Sequence, residues 1–302
     1  MDVREKPSLT HWDVVALNFI HPDVRYYFRR HYRMGLRSHV MEVLRPRDVK
    51  TEAKGEVKGG IRYFHRARPV RMLRIFRAKF NSLEEAEEEL KRVKIVQKYL
   101  LPDFVAASEE FLVDYRIQDT FEVLLCGLQT YVEGEILDPW TPSHLHPVKA
   151  LFKRMIPEGK SRIFTINTLI ENAYNNIINF VGRIKNMIQE TQLIPDLAGV
   201  GNLLLTPGAG VVLVDINNIS RLNFEPGIPV DDRGYPVCDK SVQALYLLEK
   251  KCPHSHVSEN DPLYNYFLNP ARMEAVRGLE RRFHDANLAN SSYKPDVDLR
   301  AF

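Results

Sequence analysis

Apolar residues recur at helical spacing over one long stretch: Ile166, Leu169, Ile170, Ala173, Ile177, Ile178, Val181, Ile184 and Ile188. Steps of three and four residues place them on one stripe. The pattern predicts a long helix buried at the centre of a mostly helical second half. A shorter stripe (Leu83, Ala86, Leu90, Val93 and Val96) predicts a helix over 82–100. Ser82 stands at its N-cap, Glu85 follows three residues later, and Pro102 lies just past its end. Further helices are expected over 240–251 and 270–287. Before the 82–100 helix, Met72, Arg74, Phe76, Ala78 and Phe80 alternate with Leu73, Ile75, Arg77 and Lys79. That period of two predicts a strand ending near Lys79. Residues 104–117 and 120–132 read as two more strands. Residues 11–44 read as mainly helical, with a break at Pro22. The expected organisation is an N-terminal helical extension (1–50), a small β-rich unit with one inserted helix (51–132) and a larger helical unit (133–302).

One β signal interrupts the helical half. In LLLTPGAGVVLVD, Leu203–Leu205 and Val211–Val214 flank a Thr-Pro-Gly-Ala-Gly segment with the residues a tight reversal requires. Asn202 precedes the first run and Asp215 ends the second. A hairpin would therefore bring an amide oxygen and a carboxylate to its open end.

Composition narrows the classes. With 302 residues, 44% apolar and 27% charged, the chain has material for one large or two medium globular domains. No apolar run is long enough to span a membrane, and the first residues carry no basic-then-apolar leader pattern. Three widely spaced cysteines without CxxC (Cys126, Cys238, Cys252) point to free thiols and a cytoplasmic setting. Residues 1–80 hold 19 Lys and Arg against 8 Asp and Glu, a net +11, leaving −8 for residues 81–302. Such a basic quarter, including Arg29, Arg30, Arg33 and Arg37, could complement acidic groups of the same molecule. It could also meet phosphates, nucleic acid or an anionic membrane surface. No zinc-finger or RNP-type pattern supports a nucleic-acid module. Cys252, His254 and His256, with His144 and His146, lack metal-ligand spacing.

The order strand with Lys79, helix, two strands, Thr130-Tyr131-Val132-Glu133-Gly134, long helix, then Asp196, Asn202, hairpin and Asp215 resembles the protein-kinase-like superfamily. That superfamily includes protein kinases and aminoglycoside-type small-molecule phosphotransferases. The resemblance covers residues 52–255 and implies a two-lobed α+β fold that uses ATP and Mg2+. It assigns Lys79 to the nucleotide phosphates and Glu89, or else Glu88, to holding that lysine. Gly59 and Gly60, with Gly55, would supply a phosphate-cradling loop, although GxGxxG is absent. Gln129, Tyr131 and Glu133 would lie at the hinge that binds adenine through backbone groups. Asp196 would orient the acceptor hydroxyl, Asn202 and Asp215 would ligate magnesium, and Asp239 would brace the catalytic loop.

Departures from the family pattern are explicit. Asn202 follows Asp196 one residue later than the family spaces them. Ile194-Pro195 stands where a histidine is usual, and Ile216-Asn217 replaces Phe-Gly after Asp215. Only 24 residues separate Asp215 from Asp239, and no Ala-Pro-Glu appears. These features favour a compact phosphotransferase acting on a hydroxyl acceptor over an ordinary protein kinase. They also admit a pseudokinase that binds nucleotide or a protein partner, or a basic adaptor for nucleic acid or anionic membrane.

Overall fold

The computed structural model describes residues 2–21, 25–32, 37–156, 165–253, 255, 257, 258 and 260–291, with side chains to 286. The expected break at Pro22, and Arg33, His254 and His256, lie outside them. The chain divides into two compact units, Met1–Glu133 and Gly134–Phe302.

The first unit is built on an antiparallel sheet. Its elements are α1 (His11–Val15), β1 (Tyr27–Arg30), β2 (Ser38–Leu44), α2 (Pro46–Lys54), β3 (Glu56–Lys58), β4 (Ile61–Tyr63), β5 (Arg71–Phe76), α3 (Leu83–Leu100), β6 (Ser108–Ile117) and β7 (Thr120–Thr130). Five strands pair in the order β1-β2-β5-β7-β6, while β3 and β4 form a separate hairpin. The helical expectation for 11–44 is corrected here. The described residues of that stretch hold one five-residue helix and two strands of the main sheet. The physical reason is the content of 38–44 (Ser-His-Val-Met-Glu-Val-Leu), where β-favouring residues sit between two sheet partners. Helix α2 likewise replaces the start of the strand region expected from residue 51.

The two faces of the sheet bury different things. Leu73 and Ile75 of β5 join a cluster with Val3, Leu9, Val14 and Leu17 from the N-terminal segment. The opposite parity, Met72, Arg74 and Phe76, is buried too. Arg74 and Glu110 of β6 form an ion pair at 2.5 Å, each side chain only 3% exposed. Gln97 of α3 and the Ser108 hydroxyl also donate to Glu110. A buried pair of this kind stabilises only when its remaining hydrogen-bonding capacity is used, and those two donors supply the carboxylate's share. Helix α3 starts as expected: Ser82 Oγ accepts from the Glu85 backbone N–H. Its buried stripe is Ala86, Val93, Val96 and Leu100.

The second unit contains β8 (Glu135–Ile136), α4 (Pro147–Met155), α5 (Ile166–Thr191), β9 (Leu193–Ile194), β10 (Leu203–Leu205), β11 (Val211–Leu213), β12 (Ser220–Arg221), α6 (Val237–Lys250), α7 (Pro262–Phe267) and α8 (Pro270–Ser291). Helix α5 is the expected long helix. It buries Leu169, Ala173, Ile177, Phe180, Val181, Ile184, Met187 and Ile188 along one stripe. Full burial of each large side chain stabilises by about 1.5–3 kcal/mol. Strands β10 and β11 form the expected hairpin, paired Leu203↔Leu213 through Leu205↔Val211. Strand β8 adds to its edge. Gly134 fits there because a Cβ would lie 2.6 Å from the Leu205 carbonyl oxygen. No helix among the described residues is long and apolar enough to cross a membrane.

Candidate functional site

The hairpin turn fixes the register. Thr206 donates its N–H to Gly210 O, and its hydroxyl accepts from Gly210 N. Asn176 of α5 donates to the Ala209 carbonyl, tying the turn to the central helix. One further backbone bond, Val214 N to Asn202 O at 2.8 Å, extends the ladder past Leu203. Asn202 and Asp215 therefore stand at the open end together, as the spacing implied.

Asp196 joins them from the loop between β9 and β10. Its Oδ1 accepts the backbone N–H groups of Ala198 (2.9 Å) and Gly199 (3.1 Å), and its Oδ2 accepts from Asn218 at 3.4 Å. Asn202 Nδ2 donates to the Asp196 carbonyl at 2.9 Å. No hydrogen bond among the described residues uses Asn202 Oδ1. The extra residue between Asp196 and Asn202 is absorbed by two glycines. Gly201 has φ of 97°. At Gly199 a Cβ would lie 2.6 Å from Asn202 Nδ2. The first conformation and the second close approach both suit glycine.

Charge in this loop is tightly coupled. Burial pushes the Asp196 carboxyl upward, and the nearby charge of Asp215 adds to the effect. The two backbone N–H groups and Asn218 oppose them, and the result is a value near 6. The residue keeps a partly exposed edge, but protein atoms crowd the carboxylate. Asp215 is itself held by Asn217, whose side-chain amide donates to Oδ1 at 2.8 Å. The segment Asp215-Ile216-Asn217-Asn218 thus has a local logic. Ile216 is fully buried as an anchor, Asn217 fixes Asp215, and Asn218, at φ of 63°, reaches Asp196.

Residues not foreseen from the sequence support the loop. The Ser241 hydroxyl accepts from Leu197 N at 3.1 Å, and Trp140 Nε1 donates to Ala198 O at 3.2 Å. Lys240 lies 4.1 Å over the Trp140 ring and pairs with Glu280 at 3.0 Å. Asp239, expected to brace the loop, is instead paired with Arg272 of α8 at 2.5 Å. The brace comes two residues later, at Ser241. Its only signal in the sequence was a serine in the first turns of α6, beside the expected Asp239.

The other expected residues fall elsewhere. Strand β5 ends at Phe76, three residues before Lys79. Lys79 is exposed and pairs with Glu5 at 2.6 Å and Asp2 at 3.7 Å. Glu88 pairs with Lys91, and Glu89 lies 3.6 Å from Arg92, both on their own helix. The expected Lys79–Glu89 or Lys79–Glu88 pair is therefore replaced by these contacts. Gly59 and Gly60 form the positive-φ turn of the β3–β4 hairpin, with open space around both. That turn joins no strands of the main sheet, so it is a plain reversal. Gln129 is buried near the end of β7, Tyr131 is half-buried, and Glu133 pairs with Arg68 at 2.9 Å. His144 lies inside a single 3-10 turn and His146 caps it. Among the described residues, no group of three or more His, Cys, Asp or Glu could hold a metal. The oxygen set at the hairpin is two carboxylates and one amide.

No protein-family profile matches the chain, and no curated protein matches it. Among solved structures it matches "ROP18 kinase domain in complex with AMP-PNP and sucrose". That match has 10% sequence identity and a TM-score of 0.35, over 87% of this chain and 83% of that one. Similarity at this level carries no argument about fold or chemistry, which rest on the residues described above.

Proposed function

We propose that the chain is an ATP- and magnesium-dependent phosphotransferase of the protein-kinase-like superfamily, acting on a hydroxyl acceptor. The observation that carries this reading is the open end of the β10–β11 hairpin, where Asn202 and Asp215 converge beside Asp196. The uncommitted Oδ1 of Asn202 and the Asp215 carboxylate are the hard oxygens magnesium prefers, with nucleotide phosphates and water completing its shell. Bound there, the ion would neutralise phosphate charge. Asp196, with a pKa near 6, is matched to accept or orient a hydroxyl proton at neutral pH. Its two backbone donors hold one oxygen fixed, and among the described residues Oδ2 has only the long contact to Asn218. Catalysis would rest on positioning and charge stabilisation. Lys79 is not carried into the proposal, because Glu5 and Asp2 engage its ammonium.

A second reading, a pseudokinase with the same fold, is favoured by one observation. The buried cation of β5 is Arg74, and its carboxylate comes from β6 rather than from helix α3. Thermal shift with ATP and magnesium, against an EDTA control, tests the site. Stabilisation is expected in the native chain and its loss in Asp215→Ala. No shift, or an equal shift in the variant, would remove the metal site. Phosphate transfer to water or an added acceptor, abolished in Asp196→Asn, distinguishes enzyme from pseudokinase.

A further inference from the structure

Helix α2 and the β3–β4 hairpin lie between two strands of the main sheet, yet neither contributes a buried residue. They are fixed from one side by carboxylates. Glu52 of α2 accepts from Arg29 of β1 at 2.7 Å and from the Ala67 backbone at 3.0 Å. Buried Glu42 accepts from Arg29 at 2.7 Å and Arg66 at 2.9 Å. The hairpin folds back on the end of α2, where Arg62 donates to the Lys54 carbonyl at 2.8 Å. The insert is thus a placed element whose outer surface has no cover among the described residues.

That outer surface combines two properties. Arg47, Lys50 and Lys54 recur at three- and four-residue spacing along α2, and Lys58 and Arg62 continue the charge onto the hairpin. All five are exposed, with Arg47 and Lys58 also paired at 3.1 Å to Asp48 and Glu56 of the same insert. Val57 and Ile61 flank the Gly59-Gly60 tip and are 57% and 58% exposed, and Phe64, at the base of the hairpin beside Gly55, is 62% exposed. Exposed apolar groups gathered this way on a soluble surface mark an interaction site.

The geometry selects the kind of partner. Pairing of Val57 with Arg62 and Lys58 with Ile61 puts Val57 on one hairpin face and Ile61 on the other. Phe64, two residues beyond Arg62, continues the Val57 parity, and Tyr63 shares that of Ile61. No flat protein surface could cover both faces of a protruding tip. A fluid medium that surrounds the tip can. Nucleic acid would use the cations but leave the aliphatic tip without a role. We infer that residues 46–66 form a peripheral docking element for an anionic lipid bilayer, with Val57 and Ile61 entering the headgroup–acyl boundary and the lysines and arginines meeting lipid phosphates and carboxylates.

Sedimentation of the full chain with phosphatidylcholine vesicles, with and without phosphatidylserine at about one-third of lipid, tests this. Binding is expected only to the serine-containing vesicles and should weaken as salt rises. Lys50→Ala and Lys54→Ala should each weaken it about fivefold. Val57→Ser/Ile61→Ser should weaken binding comparably at constant charge, and the side chains changed have no core contact to lose. In a further variant, Ile61→Trp, the fluorescence added by the substitution should shift to the blue on adding those vesicles. No vesicle binding, binding indifferent to the apolar pair, or an unshifted emission from Ile61→Trp would each overturn the inference. So would salt-sensitive binding to duplex DNA with none to vesicles, which would assign the surface to nucleic acid.

Discussion

Asn in place of Asp196 should stabilise the second unit at neutral pH. The native carboxyl holds its proton to about pH 6, against an ordinary value of 3.8 in the unfolded chain. Between those values the native state binds more protons than the unfolded state, so stability falls as pH rises through this window. Above pH 6 the whole cost is present. It amounts to about 3 kcal/mol at pH 7.5 and about 1 kcal/mol at pH 4.5. Asparagine removes the charge while its Oδ1 can still accept from Ala198 and Gly199. The gain should therefore approach 3 kcal/mol at pH 7.5, less whatever the amide loses opposite Asn218. For a unit of this size that is a rise in melting temperature of roughly 5–10 °C. Trp140 donates to the loop itself, so its fluorescence reports this unit, and Trp12→Phe removes the other tryptophan. Urea titrations in EDTA, at pH 7.5 and 4.5, give the comparison. An unchanged or lowered midpoint at pH 7.5, or a gain as large at pH 4.5, would refute the reasoning. A residue that destabilises its own fold at working pH is expected where charge serves binding or catalysis.

Gly199→Ala should cost about 1–3 kcal/mol, because the new Cβ meets the Asn202 side chain. It should also abolish any magnesium-dependent thermal shift, which a merely destabilised site would retain. Arg272→Met should lower stability by about 3–5 kcal/mol in urea, since it leaves fully buried Asp239 without its partner. Lys251 donates to the Asp138 and Pro139 carbonyls, and burial depresses its pKa to about 8 against an ordinary 10.5, with Asp138 opposing. The unfolded chain holds that proton to higher pH, so native stability should climb between pH 8 and 10.5. Lys251→Met should flatten that climb in urea midpoints taken at pH 8 and 10.

Much of the architecture was legible because its signals are local. The α5 stripe, the Ser82 cap, the Thr206–Gly210 reversal and the strand pair 108–130 each follow from spacing and turn chemistry alone. The failures lie where tertiary pairing overrides local preference. Residues 27–44 carry aromatic, arginine and aliphatic residues at spacings compatible with either period. Only the partner strands, which no local window contains, make them β1 and β2. The Asn202–Asp215 convergence was readable because a hairpin converts sequence position directly into proximity. Ser241 and Trp140 were not, since both reach the loop from elements distant in sequence.

Lys79 shows how a motif can mislead where parity would have corrected it. Met72, Arg74 and Phe76 alternate with Leu73 and Ile75, and residue 79 belongs with the second set. In the structure that set's face of the sheet receives the N-terminal segment. Any charge sharing a face with Arg74 had to come from the even positions. Once Phe76 ends the strand, Lys79 has no fixed direction and is captured by Glu5 and Asp2, carboxylates of that same segment. Arg74 could be buried only if a carboxylate met it, and Glu110 lies on β6, one strand beyond β5's neighbour β7. The alternation therefore already required a buried acid on the α3 face. Asp114 shares the parity of Glu110 on β6, and it is the register, with Arg74 and Glu110 both level with Gly127, that makes Glu110 the acid that supplies it.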